Sequence, residues 1–381
     1  MISSGASWIC RLFFISIPDG FSTVSMRLFL SATTAMLLVL LLGPMFIRKL
    51  IELKVGQPIR DDKGFLLGEL HKKKKDTPTM GGALIIISVL ISSFLWADWS
   101  SFFVPLVLGT FALYGILGGF DDWAKLKSRS SKGLSGKFRL VIQTLIALAV
   151  VFTLAYPSVL QYLGFSTTQL YEPYQGYIYL PFITSPVCKA VGLLWLVIWW
   201  IQVFTMVGSA NAVNLTDGLD GLATGCALFV SIVLCMAALL SSSTATAASY
   251  QTPYIQSSGE IAVMLAALAG ACLGFLCFNA FPAQVFMGDT GSLAIGGMLG
   301  TSAVLLRREW LLALVGAIFV VETLSVMIQV VSFQRWGKRV FLCTPLHHHF
   351  EYAGLHEAKV VMRFWIVGLL LAVVGFLSLQ M

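Results

Sequence analysis

Five short stretches of this 381-residue chain combine acids, amides, lysines or histidines with glycine in patterns that suit phosphate chemistry. The densest runs Asn211-Ala212-Val213-Asn214-Leu215-Thr216-Asp217-Gly218-Leu219-Asp220-Gly221. Glycine there lets the backbone approach a ligand, while Asp and Asn supply hard oxygen donors and directional hydrogen bonds. A second stretch, Asn279 to Ser292, places Asp289 between glycines at the start of an apolar run, where a carboxylate, a helix N-terminus and a metal-bridged phosphate can meet. An ordinary helix cap by Asp289 is the plainer alternative. A third places Asp121 beside Asp122 at the end of an apolar run, with Lys125 and Lys137 following. Adjacent carboxylates at a membrane edge repel one another and need a cation, a proton or a lysine partner. The fourth is Lys72 to Gly82, lysines followed by Thr-Pro-Thr-Met-Gly-Gly, which suits anionic oxygens, a topology signal or an anionic-lipid contact being the commoner reading of such a run. The fifth is Pro345-Leu346-His347-His348-His349-Phe350-Glu351. Three consecutive histidines do not face one metal from a helix, but they can donate to phosphate or move a proton near neutral pH.

The elements that must hold these stretches follow from hydropathy. Hydrophobic residues make up 57% of the chain and charged residues 11%, against roughly a quarter charged in a soluble domain. A soluble fold is excluded. Apolar runs of about 17 residues or more fall at 28-47, 80-97, 102-120, 140-156, 190-207, 221-240, 261-278, 290-306, 311-331 and 364-380. They are too long for barrel strands, so the expected fold is all-α, a polytopic membrane protein with about ten transmembrane helices. Residues 26-381 form one membrane domain, and residues 1-25 an N-terminal extension whose apolar stretch, Trp8 to Ile17, is too short to span. The outside gap 157-189 carries aromatic alternation, Tyr171 to Pro181, that suits a small hairpin. The seven cysteines are scattered without metal or disulfide spacing and read as small core residues.

Net charge is +7, which in a soluble protein suggests nucleic acid, but the basic residues are not patterned for it. Twenty of the 25 lie in the gaps 48-79, 121-139 and 332-363, and the other five fall on the opposite side if the spans alternate. By the positive-inside bias the rich gaps are cytoplasmic and both termini outside. All five polar stretches then share the cytoplasmic face, which implies one site handling phosphate beside lipid with carboxylates, lysines, histidines and Mg²⁺.

The ordered motifs Thr77 to Gly82, Asp121-Asp122, Asn211 to Gly221, Phe286 to Ser292 and His347 to Glu351 resemble the polyprenyl-phosphate N-acetylhexosamine-1-phosphate transferases from about residue 48 to the C-terminus. The histidine run and the Asn-Leu-Thr-Asp-Gly-Leu-Asp-Gly run are similar to the branch that handles phospho-N-acetylmuramoyl-pentapeptide. That resemblance implies a bacterial cytoplasmic-membrane enzyme of peptidoglycan synthesis. Undecaprenyl phosphate would attack UDP-N-acetylmuramoyl-pentapeptide, giving lipid I and UMP, with Mg²⁺ as cofactor and no nucleic-acid partner. It also implies roles. Asp289 is the first metal candidate, with Asp121 and Asp122 either sharing the metal or deprotonating the lipid phosphate. Lys74, Thr79, Asn211, Asn214, Asp217, Gly218, Leu219, Asp220, Phe286 and Gln329 fall on the nucleoside side, where Phe286 stacks on uracil and Asp220 accepts from its imide. Lys125, Lys137, Asn279, His347 and His348 fall on the phosphate side, with His349 and Glu351 orienting the loop. Glu322, in the middle of the ninth run, has an open role, and the oligomeric state stays open between monomer and homodimer. The rivals are a relative that uses UDP-N-acetylglucosamine and, from another class, a secondary transporter, whose acids belong at mid-bilayer.

Overall fold

A computed structural model describes residues 23–53, 77–128, 133–156 and 176–379, together with Gly5 and Tyr162. The apolar runs become helices α1 (Val24–Glu52), α2 (Gly82–Trp96), α3 (Phe103–Ser128), α4 (Gly136–Ala155), α5 (Leu194–Thr216), α6 (Leu222–Leu240), α8 (Ser258–Asn279), α9 (Gly288–Leu305), α11 (Ala317–Trp336) and α13 (Glu357–Leu377). Short helices α7 (Thr244–Ser249), α10 (Glu309–Val315) and α12 (Leu346–Tyr352) lie between them. The chain is an all-α polytopic membrane protein. Among the described residues, eight helices are long and apolar enough to cross a membrane. The two that fall short are α2, with 15 residues, and α9, rich in Gly, Ser and Thr. Every residue of α9 except Asp289 is buried, so protein rather than lipid surrounds it and small polar residues are tolerated there.

Helix α9 is the axis, packed against α3 and α5, while α8 packs against α1 and α6. Backbones come close enough that side chains are excluded: a Cβ on Gly118 of α3 would overlap the Asp289 carbonyl. The ninth apolar run is broken at Gly316 into α10 and α11. Two helices run well past their apolar limits. Helix α3 continues to Ser128, which places Asp121 and Asp122 inside it rather than after it, and α5 continues to Thr216, which carries Asn211 and Asn214. The hairpin sits later than the aromatic alternation suggests: β1 (Tyr177–Ile178) pairs antiparallel with β2 (Cys188–Lys189), Tyr177 opposite Lys189. The N-terminal extension lies almost wholly outside the described residues.

Candidate active site

Two helix ends and two helix starts meet at one edge of the bundle. Asp121, Asp122 and Lys125 come from the last turns of α3, Arg139 from the first turns of α4, Asn214 and the C-cap Asp217 from α5, and Asp289 from the first turn of α9. The Lys125 ammonium lies 2.6 Å from Asp121, 2.8 Å from Asp289 and 3.8 Å from Asp122. Arg139 Nη1 lies 2.7 Å from Asp289 and 3.3 Å from Asp121. Asn214 Nδ2 donates to Asp289 Oδ1 at 2.8 Å and to Ser292 Oγ at 2.9 Å, which fixes how the Asp289 carboxylate is turned.

The two adjacent acids have different surroundings. Asp122 accepts from the backbone N–H groups of Asp289 (3.2 Å) and Thr290 (2.9 Å) and from the Thr290 hydroxyl (2.7 Å). It therefore caps α9 from another helix, placing negative charge at the positive end of the helix dipole. The capping role that Asp289 would otherwise take belongs to Asp122, and the Asp289 side chain is left for other partners. Gly288 makes this fit possible. Its φ is +74°, and a Cβ there would come within 2.7 Å of Asp122 Oδ2 and 2.9 Å of Thr79 Oγ1. Asp121 is also buried, but its partners are the Leu134 N–H (2.7 Å) and the two cationic side chains.

Two of the sequence motifs are joined through backbone. Phe286 N–H donates to Pro78 O, Gly81 N–H to Phe286 O and Gly82 N–H to Met287 O, at 2.8 to 2.9 Å. Thr79 is thereby buried beside Gly288. Asp217 accepts from the Gly288 backbone N–H, and burial together with the Asp289 and Asp122 charges pushes its carboxyl up to about 8. Asp220 accepts from Ala283 N–H at 2.9 Å, and Asn279 ties Thr224 to Val285 O, so both brace the 280–286 loop. Leu219 is buried.

The histidine run forms α12. His347 is fully buried, and so is Glu322, whose carboxylate accepts from the His347 backbone N–H at 3.1 Å and meets Nδ1 at 3.1 Å. The mid-span acid is thus an internal partner for histidine. Among the described residues His347 Nε2 has no hydrogen-bond partner, and it lies against Gly218, where a Cβ would collide with it. Burial pulls the His347 pKa below its ordinary value, favouring the neutral ring. His348 Nδ1 pairs with Glu351 at 2.7 Å. His349 Nδ1 accepts from Leu342 N–H, and Gln329 clamps the backbone of Val340 and Phe341. These two hold the 338–344 loop and are not brought to the acid cluster by any of these bonds. Asn211 bonds Gln143 on α4 at 2.7 Å. Lys137 is exposed and outside the ion-pair cluster, and Lys74 lies outside the described residues.

Arg139 and Gln143 were not singled out by the sequence, and Thr290 and Ser292 stood in a motif without a role of their own. A signal existed for Arg139: α4 carries Lys137 and Arg139 in its opening turns and no acid in the first, the reverse of what a helix dipole favours.

The acids suit a hard divalent cation. Three carboxylates surround one ammonium, and Mg²⁺ needs only one or two protein carboxylates, taking its other ligands from water and phosphate. Among the described residues no three acids, histidines or cysteines already form a cage, because Lys125 and Arg139 stand between the carboxylates.

Comparison with known proteins bears on this arrangement. A family model for glycosyl transferase family 4 matches residues 104–307, from α3 through α9, the whole of the acid cluster. The phospho-N-acetylmuramoyl-pentapeptide-transferase of Protochlamydia amoebophila (strain UWE25) is 45% identical over 408 residues, covering 100% of both chains. That of Desulfotalea psychrophila (strain LSv54 / DSM 12343) is 44% identical over 362 residues, 95% of each. These alignments extend past residue 307 and take in the histidine run.

Proposed function

This chain belongs to the phospho-N-acetylmuramoyl-pentapeptide transferases of glycosyl transferase family 4, and on that premise we propose how its acid cluster performs the transfer. The enzyme moves phospho-N-acetylmuramoyl-pentapeptide from its UDP-linked form to undecaprenyl phosphate, giving lipid I and UMP. The observation that carries the mechanistic reading is the convergence of Asp121, Asp122 and Asp289 on Lys125 at a membrane edge, beside the Asp217–Gly218 loop.

Asp289, turned by Asn214 and with Asp121 beside it, would hold Mg²⁺. When bound, the metal would offset the charge developing on the diphosphate. Asp122 keeps its three hydrogen bonds to α9 and so holds Asp289 in place. Asp121, whose side-chain partners are exchangeable cations, is the acid positioned to take any proton still on the lipid phosphate. An oxygen of that phosphate then bonds to the β-phosphorus, the bond from that phosphorus to the bridging oxygen breaks, and UMP leaves with the electron pair. Lys125 offsets phosphate charge. Asp217, Asp220 and Phe286 border the nucleoside side, and Glu322 holds His347 against Gly218 so that the histidine run closes on the same loop. The lysine- and arginine-rich gaps support a cytoplasmic orientation for this edge.

Purified enzyme with Mg²⁺, undecaprenyl phosphate and UDP-N-acetylmuramoyl-pentapeptide is expected to release UMP and form a lipid with the mass of lipid I. Release of UMP from UDP-N-acetylglucosamine alone would overturn the substrate assignment.

A further inference from the structure

Arg139 lies among the reacting acids yet is held unlike a structural arginine. Among the described residues one nitrogen, Nη1, makes both of its bonds, to Asp289 at 2.7 Å and Asp121 at 3.3 Å. A guanidinium that serves to lock carboxylates normally uses its planar fork in a bidentate pair. Here the fork is unused. The residue also sits in the opening turns of α4, where the helix dipole disfavours a cation, and α4 buries only a narrow stripe, from Gln143 to Leu154. Lys125 differs: it is tethered one turn from Asp121 on the same helix and reaches all three carboxylates.

Charge counting gives the arrangement a purpose. With Asp121, Asp122 and Asp289 all ionised, three negative charges face two positive charges on Lys125 and Arg139, and the cluster is then one charge negative without a metal. A divalent ion arriving while both remained would turn the cluster one charge positive, the sign that a diphosphate requires.

We propose that Arg139 is a resident counterion: it occupies an Asp289 oxygen and bridges it to Asp121 before the metal enters, and yields the Asp289 oxygen when a divalent cation takes it. Its displaced guanidinium, with a free fork, then faces the side from which anionic oxygens arrive. This rests on the reading of Asp289 as a metal holder. It assigns Arg139 a positioning role, in competition with the metal.

Competition makes an unusual prediction, that removing a residue of the site strengthens metal binding. The probe is Mn²⁺, added to the purified full-length protein without substrates and followed by its paramagnetic resonance signal. Arg139→Gln is expected to bind Mn²⁺ on the order of tenfold more tightly than the wild type, the equivalent of one charge-assisted hydrogen bond removed from the competitor. Arg139→Lys keeps the charge and is expected within about threefold of the wild type. Lys127→Gln, which removes the same charge from the exposed end of α3, controls for long-range electrostatics. Equal or weaker binding by Arg139→Gln, a gain no larger than that of Lys127→Gln, or no Mn²⁺ binding by any form overturns the inference. Formation of lipid I by the wild type is scored separately, so loss of the counterion role leaves the assigned reaction standing.

Discussion

Two buried ion-pair clusters stand at opposite ends of this bundle, and they are built on different principles. At the far end, Arg27 of α1 meets Glu260 of α8 in a bidentate pair, both contacts at 2.8 Å. The same carboxylate accepts from Asp98 N–H at 2.7 Å, and Arg27 donates to Trp96 O. Charges balance, both residues are buried and the fork is in use. At the near end, some 28 Å along α8, three acids share two cations, Arg139 is monodentate, and Lys125, Arg139 and Asp289 keep partial exposure. A closed pair ties helices together. An open, over-acidic cluster costs stability unless something binds it, and that imbalance is the ground on which we propose the near end as the working site.

The contrast can be broken most forcefully at Asp289. Asp289→Asn keeps the Asn214 contact geometry but removes the charge, and transfer is expected to fall about a thousandfold or more, read as UMP release, with little change in Tm. Next in size is Glu260→Gln at the closed end, expected to cost about 3–5 kcal/mol in unfolding while turnover of the folded fraction is retained. Glu322→Gln sharpens the boundary between the two kinds of site, since Glu322 is as buried as Glu260 but serves His347. Its expected signature is a ~10- to 100-fold loss of kcat with KM for the nucleotide nearly unchanged. A purely structural role would lower Tm and leave the kcat of folded protein alone.

The remaining effect, a pH dependence rather than a loss at one pH, concerns Asp217. Its carboxyl titrates at about 8 in the folded protein, against about 3.9 in an unfolded chain. The folded state therefore holds a proton that the unfolded state has released. The associated stability is complete below pH ~4 and is lost as pH rises to about 8. Asp217→Asn cannot titrate. The wild-type Tm is expected to decline relative to that variant between pH ~5 and ~8 and to run parallel to it above.

Much of this architecture is legible in the sequence because lipid imposes a length and a polarity on each span, and every apolar run has its helix. The limits of the runs are less informative. Hydropathy sees where lipid contact stops, not where the helix stops, so α3 and α5 extend beyond their apolar ends and carry Asp121, Asp122, Asn211 and Asn214 in helical register. The acids were visible as types, but their division of labour was not. Which of Asp122 and Asp289 caps α9 depends on the close approach at Gly118, a tertiary fact. Arg139 was hidden among six basic residues between 121 and 139, all of which also serve orientation. Glu322 could be seen as costly at mid-span, yet its partner lies 25 residues away.

The central claim, that the open cluster is for chemistry and the closed one for cohesion, is tested most directly by measuring UMP release and Tm side by side for Asp289→Asn and Glu260→Gln, below the unfolding range of both. The expected result is a crossed pattern: Asp289→Asn unfolds like the wild type and transfers almost nothing, whereas Glu260→Gln unfolds earlier and transfers normally. Substantial transfer by Asp289→Asn, or loss of transfer by folded Glu260→Gln, would contradict it.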